Sequence, residues 1–371
     1  LAPSARTIAT SASSILAGPS QKNWTEFWEP VTTSNVGDSA LPAVYTGYDP
    51  NTGLTTLSGN ISGTAPTSCP SSAPALSSQI STGYDGDGRV ISYRDANNNA
   101  AGLSYTADGL TASLNDGKGT VTYTYDGGSG STTEHRRLLT NLADSNWFPP
   151  GFSAVYDANG AMASETYPNG LVATRHYDDA GQSISLAYVM GSTTWLSFSA
   201  SYSAHGQILS QSSNGSSQAL TYDNDGRLIS VADTDNTINP AACTTRTYAY
   251  DADSNRQSLS AYPAGTSGVC STSTTPTVTS HGYDEADRLL VSQGYAYDPL
   301  GRTTTVPASD AGGTTLGNGY YVDDMVASQS QGTPSKTFAL DPSARSATIT
   351  TGSTVQTNYF ANGDVHMGTA L

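Results

Sequence analysis

The sequence predicts an all-β fold in which antiparallel hairpins lie side by side and wind into a spiral or hollow sheet. Three observations carry that expectation. Period-2 alternation of apolar and polar residues recurs along the chain, with no sustained i, i+3, i+4, i+7 spacing. Short Tyr-Asp turns recur at a fixed place in the pattern. Gly 37, Pro 18 and Tyr 22 against 12% charged residues favour short strands joined by tight turns.

The repeated unit is an alternating strand ending in Tyr-Asp, a few turn residues that usually close with Gly, and a returning strand. Copies stand at Tyr48-Asp49, Tyr84-Asp85, Tyr156-Asp157, Tyr177-Asp178, Tyr222-Asp223, Tyr250-Asp251, Tyr283-Asp284 and Tyr297-Asp298. Weaker copies occur at Tyr167-Pro168-Asn169-Gly170, Tyr202 to Gly206 and Leu340 to Arg345. An Asp at the first turn position can accept from the backbone N–H two residues on, and Gly three residues on takes the left-handed conformation of a type I turn with a bulge. The expected turn residues are therefore Asp85 with Gly88, Asp157 with Gly160, Asp178 with Gly181, Asp223 with Gly226, and Asp298 with Gly301. Pro50, Pro299 and Pro342 supply the fixed φ wanted after the Asp.

Ahead of the turns, Val121, Tyr123 and Tyr125 share one strand face and Thr120, Thr122 and Thr124 the other. One hairpin cannot bury a face, so successive hairpins must pair laterally, and a long twisted sheet of them curls. Residues 1–44, with Trp24, Phe27 and Trp28, form a non-repetitive segment expected to pack on or plug the sheet, and 45–371 form the array. Irregular insertions are expected near 59–80, rich in Ser, Pro and Thr, and near 127–153, where His135 to Leu142 could make a helical turn or two.

A net charge of -16 with 15 Lys plus Arg repels a phosphate backbone and an anionic membrane surface, so no nucleic-acid partner is expected. No run of eighteen apolar residues is present to insert into a bilayer. Numbering starts at Leu1 rather than Met, so any export signal is expected upstream, and the chain is expected to be part of a larger product. Cys243 and Cys270 flank one repeat, whose hairpin would bring them together as a disulfide worth about 3 to 4 kcal/mol, with Cys69 left over. Two small buried thiols are the other reading; the bridge would argue for an extracellular or cell-surface setting.

The signature Tyr-Asp-x-x-Gly-Arg-Leu, nearly complete in YDGDGRV, YDNDGRL and YDPLGR, resembles the YD/RHS-repeat family from about residue 45 to 360. The stretch from RTYAYDADSNR to GYAYDPLGR is similar to secreted RHS proteins of high-GC Gram-positive bacteria. The resemblance implies a hollow β-shell enclosing a toxic or signalling domain, as in polymorphic toxins, toxin-complex cocoons and teneurins. In many members a sealing motif with cleaving aspartates ends the array. Asp341-Pro342-Ser343-Ala344 lacks that motif's glycine, so no catalytic aspartate is carried over.

No catalytic residue stands out. Asp178/Asp179, Asp323/Asp324 and Glu26/Glu29 are the nearest carboxylate pairs in the sequence, with turn and surface roles, and nothing sets two of them across a cleft as glycosidic hydrolysis needs. His135, His176, His205, His281 and His366 sit in no catalytic motif. Asp251 to Asn255 begins like a calcium loop but has Arg256 at position six and Tyr262 at twelve, so no cofactor is expected and calcium at acidic tips would be incidental. The expectation is a secreted scaffold, not an enzyme, whose partner is an enclosed or C-terminal cargo domain of the same polypeptide. The alternative is an adhesin or fibre built from further copies, whose tyrosine rows could stack on glycans or a cell-surface receptor.

Overall fold

The computed structural model describes residues 38–64, 74–127, 134–361 and 365–370. The expected plug of residues 1–44 lies outside the described residues except for its last few, 38–44. The first strands are β1 (Val44–Tyr48), β2 (Thr55–Ile61), β3 (Leu76–Tyr84), β4 (Val90–Arg94), β5 (Ala100–Tyr105) and β6 (Thr111–Asn115). Next come β7 (Thr120–Gly127), β8 (Glu134–Asp144), β9 (Trp147–Tyr156), β10 (Met162–Thr166), β11 (Val172–Tyr177), β12 (Ser183–Met190) and β13 (Thr193–Tyr202). They are followed by β14 (Ile208–Ser213), β15 (Ser216–Tyr222), β16 (Leu228–Asp235), β17 (Ala242–Tyr250), β18 (Arg256–Tyr262) and β19 (Thr277–Ser280). The last eight are β20 (Ala296–Tyr297), β21 (Thr303–Val306), β22 (Leu316–Tyr320), β23 (Val326–Ser330), β24 (Lys336–Leu340), β25 (Ser346–Thr351), β26 (Thr354–Ala361) and β27 (Val365–Ala370).

The first nineteen belong to one sheet and the last eight to another. Pairing is antiparallel between chain neighbours, as in β3 with β4, β11 with β12, β17 with β18 and β25 with β26. The fold is thus the hairpin array that the period-2 pattern predicts, with two brief 3-10 turns at Thr266–Gly268 and Val291–Gln293. The helical expectation for His135 to Leu142 is wrong. Those residues run inside β8, where Leu139, Asn141 and Leu142 pair with β7, Asn141 and Leu142 also pair with β9, and Arg137 lies at φ +62° where the β7 register shifts. Strand β8 and strand β9 together fill most of the supposed insertion at 127–153, and β2 and β3 enter the one at 59–80 from both ends.

Two compact units divide the chain: residues 1–120 with 294–371, and residues 121–293. In the first, Ile80, Tyr93 and Ala101 pack with Phe360 and Ala361 in a core shared by the two sheets, and Ala43, Tyr45 and Ile61 make a second small cluster. In the second unit burial is scattered, at Ala173, Val231, Cys243 and Thr245. A sheet so thinly covered depends on its ladders and on whatever ties one hairpin to the next.

Candidate functional site

The recurring site is the hairpin end. At Asp85, one carboxylate oxygen accepts the N–H groups of Asp87 and Arg89 at 3.0 and 2.9 Å. The other accepts the Arg89 Nε–H at 2.7 Å. The Gly88 N–H closes the turn on the Asp85 carbonyl at 3.1 Å, with Gly88 at φ +79° and a register shift at Tyr84. Asp223 with Arg227 and Asp298 with Arg302 repeat the arrangement, Gly226 and Gly301 lying at φ +81° and +85°. Asp157 and Asp178 cap their turns through the N–H groups two and four residues on, with Gly160 and Gly181 left-handed. In the other adjacent carboxylate pair, Asp323 accepts from the Met325 N–H and Asp324 pairs with Arg302, while Glu26 and Glu29 lie outside the described residues. Asp251 of the calcium-like stretch is another such cap, its oxygen taken by the N–H groups of Asp253 and Asn255.

Glycine turns out to be dispensable. The same turn forms with Asn98, Ser254, Asp287, Asp324 and Ala344 in the left-handed position, at φ +58° to +73°. Turns that lack Tyr-Asp escaped the sequence reading, among them Asp95 to Asn99, Tyr321 to Met325, and Thr106 to Leu110, where the Thr106 hydroxyl accepts the Leu110 N–H at 3.0 Å. Asn98 was the available signal for the first, since Asn tolerates the left-handed region.

The tyrosine is explained by its hydroxyl, which reaches back to the preceding hairpin. Tyr105 donates to the Val90 carbonyl at 2.7 Å, Tyr177 to Met162, Tyr202 to Ser183, Tyr222 to Ile208, Tyr250 to Leu228, and Tyr320 to Thr303. Each of these acceptors lies just beyond the previous turn. The arginine answers in the other direction: the Arg89 guanidinium lies over the Tyr105 ring at 4.7 Å, Arg227 over Tyr250 at 5.1 Å, and Arg302 over Tyr320 at 4.6 Å. Asp fixes Arg, Arg covers the next Tyr, and that Tyr bonds back. Cation–π contact adds about 0.5 to 1 kcal/mol at an exposed site, and a neutral hydrogen bond about the same.

The electrostatics follow. The backbone N–H of Arg227 and then its guanidinium hold the Asp223 carboxyl below the usual carboxylate range, and the Arg288 guanidinium does so for Asp284. Arg136 draws Glu134 down to about 2. Burial pushes the hydroxyls of Tyr84, Tyr156 and Tyr320 up, which keeps them protonated donors.

Within the first unit the same chemistry joins the two sheets. Asp95, 2% exposed, caps its own turn with one oxygen and accepts the Phe360 N–H of β26 with the other at 2.8 Å. Asn97 donates its amide to the Ala347 and Asn358 carbonyls at 3.0 and 2.8 Å. Arg345, held by Asp341, donates to the Tyr93 hydroxyl at 2.6 Å and lies 4.2 Å over the Phe360 ring. Burial works against the Arg345 charge, but the bond to Asp341 prevails and raises it. Arg302 likewise takes Asp38 as a third carboxylate, beside Asp298 and Asp324, while Ser39 pairs with Tyr321. Cys243 and Cys270 are disulfide-bonded, with Cα atoms 4.8 Å apart, and staple the loop between β18 and β19.

Side-by-side hairpins with Tyr-Asp ends, each turn bonded to the next, define a YD-repeat wall. Residues 149–306 match the family model of the teneurin YD-shell, and over that stretch the chain is similar to YD-shell proteins. No curated protein matches it. Among solved structures it is similar to TcdB2-TccC3, with 12% identity and a TM-score of 0.59 over 86% of this chain and 19% of that one. The TcdB2-TccC3-Cdc42 structure gives 13% identity and 0.52 over 86% and 16%, and the Photorhabdus luminescens Tc holotoxin pore 12% and 0.50 over 88% and 16%. This chain spans about a fifth or less of those chains, and at such identity the likeness is one of fold.

Proposed function

We propose that the chain is a wall segment of a secreted YD/RHS-type shell, which encloses or presents a cargo domain of the same polypeptide and has no reaction of its own. One observation carries this reading. In the second unit, Leu186 and Tyr188 stand opposite Phe198 and Leu196 on one sheet face, and Leu196, Phe198 and Leu209 remain 42 to 48% exposed. On that side β8 to β10 frame a cavity of about 280 Å³ lined by Leu139, Leu142, Phe152, Ala154, Met162 and Glu165. The alternate residues of β13 and β14 on the other side are serines, with Ser199 paired to Ser212 and Ser201 to Ser210 through their hydroxyls. An apolar patch left open beside the Arg175–Glu165 pair invites a polypeptide against it, and a hydroxyl face suits water. The disulfide agrees with an oxidising compartment. Among the described residues no helix is long and apolar enough to cross a membrane. The test uses a longer product that contains the chain: removal of its cargo sequence should abolish toxicity while this part stays folded, and the cargo should resist protease until the wall is denatured. Killing or hydrolysis by the chain alone would sink the proposal.

A second reading, lateral pairing into a fibre, is favoured by β27, which among the described strands pairs only with β26. Electron microscopy of the purified chain separates closed particles from rods.

A further inference from the structure

Strand β8 is interrupted where the chain carries its one pair of adjacent Lys or Arg residues, Arg136 and Arg137. The ladder with β7 sets Leu139 opposite Tyr125 and Glu134 opposite Gly127, so that four residues of β8, His135 to Leu138, face Asp126 alone. The ladder with β9 reaches no further than Asn141. Within the gap the backbone is held by carboxylates: Glu134 accepts the N–H groups of His135 and Arg136 at 3.0 and 2.8 Å, and Asp126 accepts that of Arg137. Asp126 and Arg137 both lie in the left-handed region, at φ +58° and +62°, which a residue with a Cβ adopts only where its surroundings impose it. Arg136 is an anchor, its guanidinium bonded to Glu134 and to the Asp157 and Ala158 carbonyls of the next turn. Arg137 beside it is exposed.

An endoprotease draws its substrate into an extended strand on both sides of the bond it cuts, so an arginine in a ladder must first be unzipped from its neighbours. Arg94, Arg175, Arg246 and Arg256 stand in ladders. The turn arginines are clamped by the Asp four residues before them, as Arg227 is by Asp223. Extending Arg137 meets neither obstacle: it gives up a left-handed φ and the bond to Asp126. The two sides of a cut after Arg137 are also tied to one another. Val121 to Tyr125 stay paired with Leu139 to Asp144, and Asp95 with Phe360, Tyr93 with Arg345 and Asp38 with Arg302 each join a residue before the cut to one after it. The chain passes between its two compact units at 120–121 and again at 293–294, so after the cut β8 to β19 are covalently joined to the first unit through the second passage alone.

We propose that the Arg137–Leu138 bond is a processing site for a separate, arginine-specific serine endoprotease, which converts the chain into two parts, 1–137 and 138–371, that remain folded together. Water adds across the bond: its oxygen goes to the Arg137 carbonyl carbon, the C–N bond breaks, and Leu138 takes the proton as a new amino terminus. The class of enzyme follows from the side chain, since a guanidinium at the cut calls for a carboxylate on the floor of the specificity pocket. The site does not depend on the cargo reading and is tested on the chain alone. The experiment is limited digestion of the whole folded chain by a kallikrein that cuts after arginine, with Arg137→Gln, Arg137→Lys and Arg94→Gln alongside, followed by intact mass and by native size exclusion ahead of a denaturing gel. Within residues 38–361 the first cut is expected after Arg137, about tenfold or more ahead of any other, lost in Arg137→Gln, slowed about tenfold or more in Arg137→Lys and unchanged in Arg94→Gln. The two parts should elute together at the volume of the uncut chain and separate only when denatured. Melting curves check that the variants fold; if Arg137→Gln alone melts differently, Arg137→Lys decides. An earlier cut elsewhere in that range, a cut that persists at the parent rate in Arg137→Gln and Arg137→Lys, or parts that elute separately under native conditions each overturns the proposal.

Discussion

Replacement of Asp95 by Ala should be among the most damaging single changes in the first unit. The side chain is 2% exposed and accepts three backbone N–H groups, from Asn97 at 2.9 Å, Asn99 at 2.7 Å and Phe360 at 2.8 Å. Phe360 is itself 8% exposed and belongs to the core shared by the sheets, so its N–H has no route to water once the carboxylate is gone. A stranded buried donor costs about 1 to 3 kcal/mol, and the two half-buried turn donors, which solvent can partly satisfy, add about 1 kcal/mol each. The expected loss is about 3 to 5 kcal/mol, a large share of the ~5 to 15 kcal/mol that holds a folded protein. Asp95→Asn keeps one oxygen for the turn but turns N–H toward the Phe360 N–H, and should lose about 2 to 3 kcal/mol.

Equilibrium urea unfolding measures the loss, and hydrogen exchange followed by mass spectrometry reads the peptide that contains Phe360. Asp157→Ala is the control, because Asp157 makes the same two turn bonds without reaching a second sheet; it should cost about 1 to 2 kcal/mol. If Asp95→Ala proved no worse than this control and the Phe360 amide stayed protected, the carboxylate would not be the tie between sheets and the reasoning would be refuted.

Tyr222→Phe keeps the ring and removes only the bond to the Ile208 carbonyl, so it should lower stability by about 0.5 to 1.5 kcal/mol in a thermal melt. Ala344→Gly should stabilise by about 0.5 to 1 kcal/mol, since relief of a left-handed Ala at φ +59° outweighs the greater freedom of Gly in the unfolded chain. Reduction of the Cys243–Cys270 bridge, or Cys243→Ser, should cost about 3 to 4 kcal/mol by urea titration. For pH, the carboxyls of Asp85, Asp223, Asp284 and Glu134 titrate lower in the folded chain than unfolded, Glu134 at about 2. Their stabilisation is complete above the unfolded range near pH 4 and disappears as pH falls toward about 2, so midpoints in urea should drop across that window. Burial raises Tyr84, Tyr93, Tyr156 and Tyr320, whose contribution is complete below about pH 10 and lost as pH rises past it, giving a second, alkaline decline.

The hairpin was legible because its determinants are local. Asp at the first position, Gly three residues later and an alternating strand on either side all act within a few bonds of one another, which is why Asp85 with Gly88 and Asp223 with Gly226 could be assigned from residue type. The role of Tyr was not legible. A ring on a strand reads as packing, and only the placed neighbour shows that the Tyr250 hydroxyl finds the Leu228 carbonyl 22 residues back. His135 to Leu142 misled because Arg136, Arg137, Leu138 and Leu139 have fair helix propensity, which lost to pairing on both sides of β8. The Asp95 tie was invisible for the same reason as the tyrosine, at larger scale: its decisive partner is 265 residues away.

That tie and the Asp38–Arg302 contact reuse turn chemistry for a long-range purpose. In an isolated hairpin, Asp and the Arg four residues on satisfy one another, as Asp284 and Arg288 do. Arg302 and Arg345 occupy that same place in turns of the second sheet, yet each has donors to spare after meeting Asp298 or Asp341, because a guanidinium carries five N–H groups. The surplus captures Asp38 in one case and the Tyr93 hydroxyl in the other, both from the first hundred residues. Lys in either position could hold its Asp but would lack the planar fork that grips a second partner while stacking on Tyr320 or Phe360. A repeat that ends in Arg therefore does more than close its own turn. Arg89, Arg227 and Arg302 extend their guanidinia to the next tyrosine along the sheet, and in the first unit Arg302 and Arg345 also reach across to a distant strand.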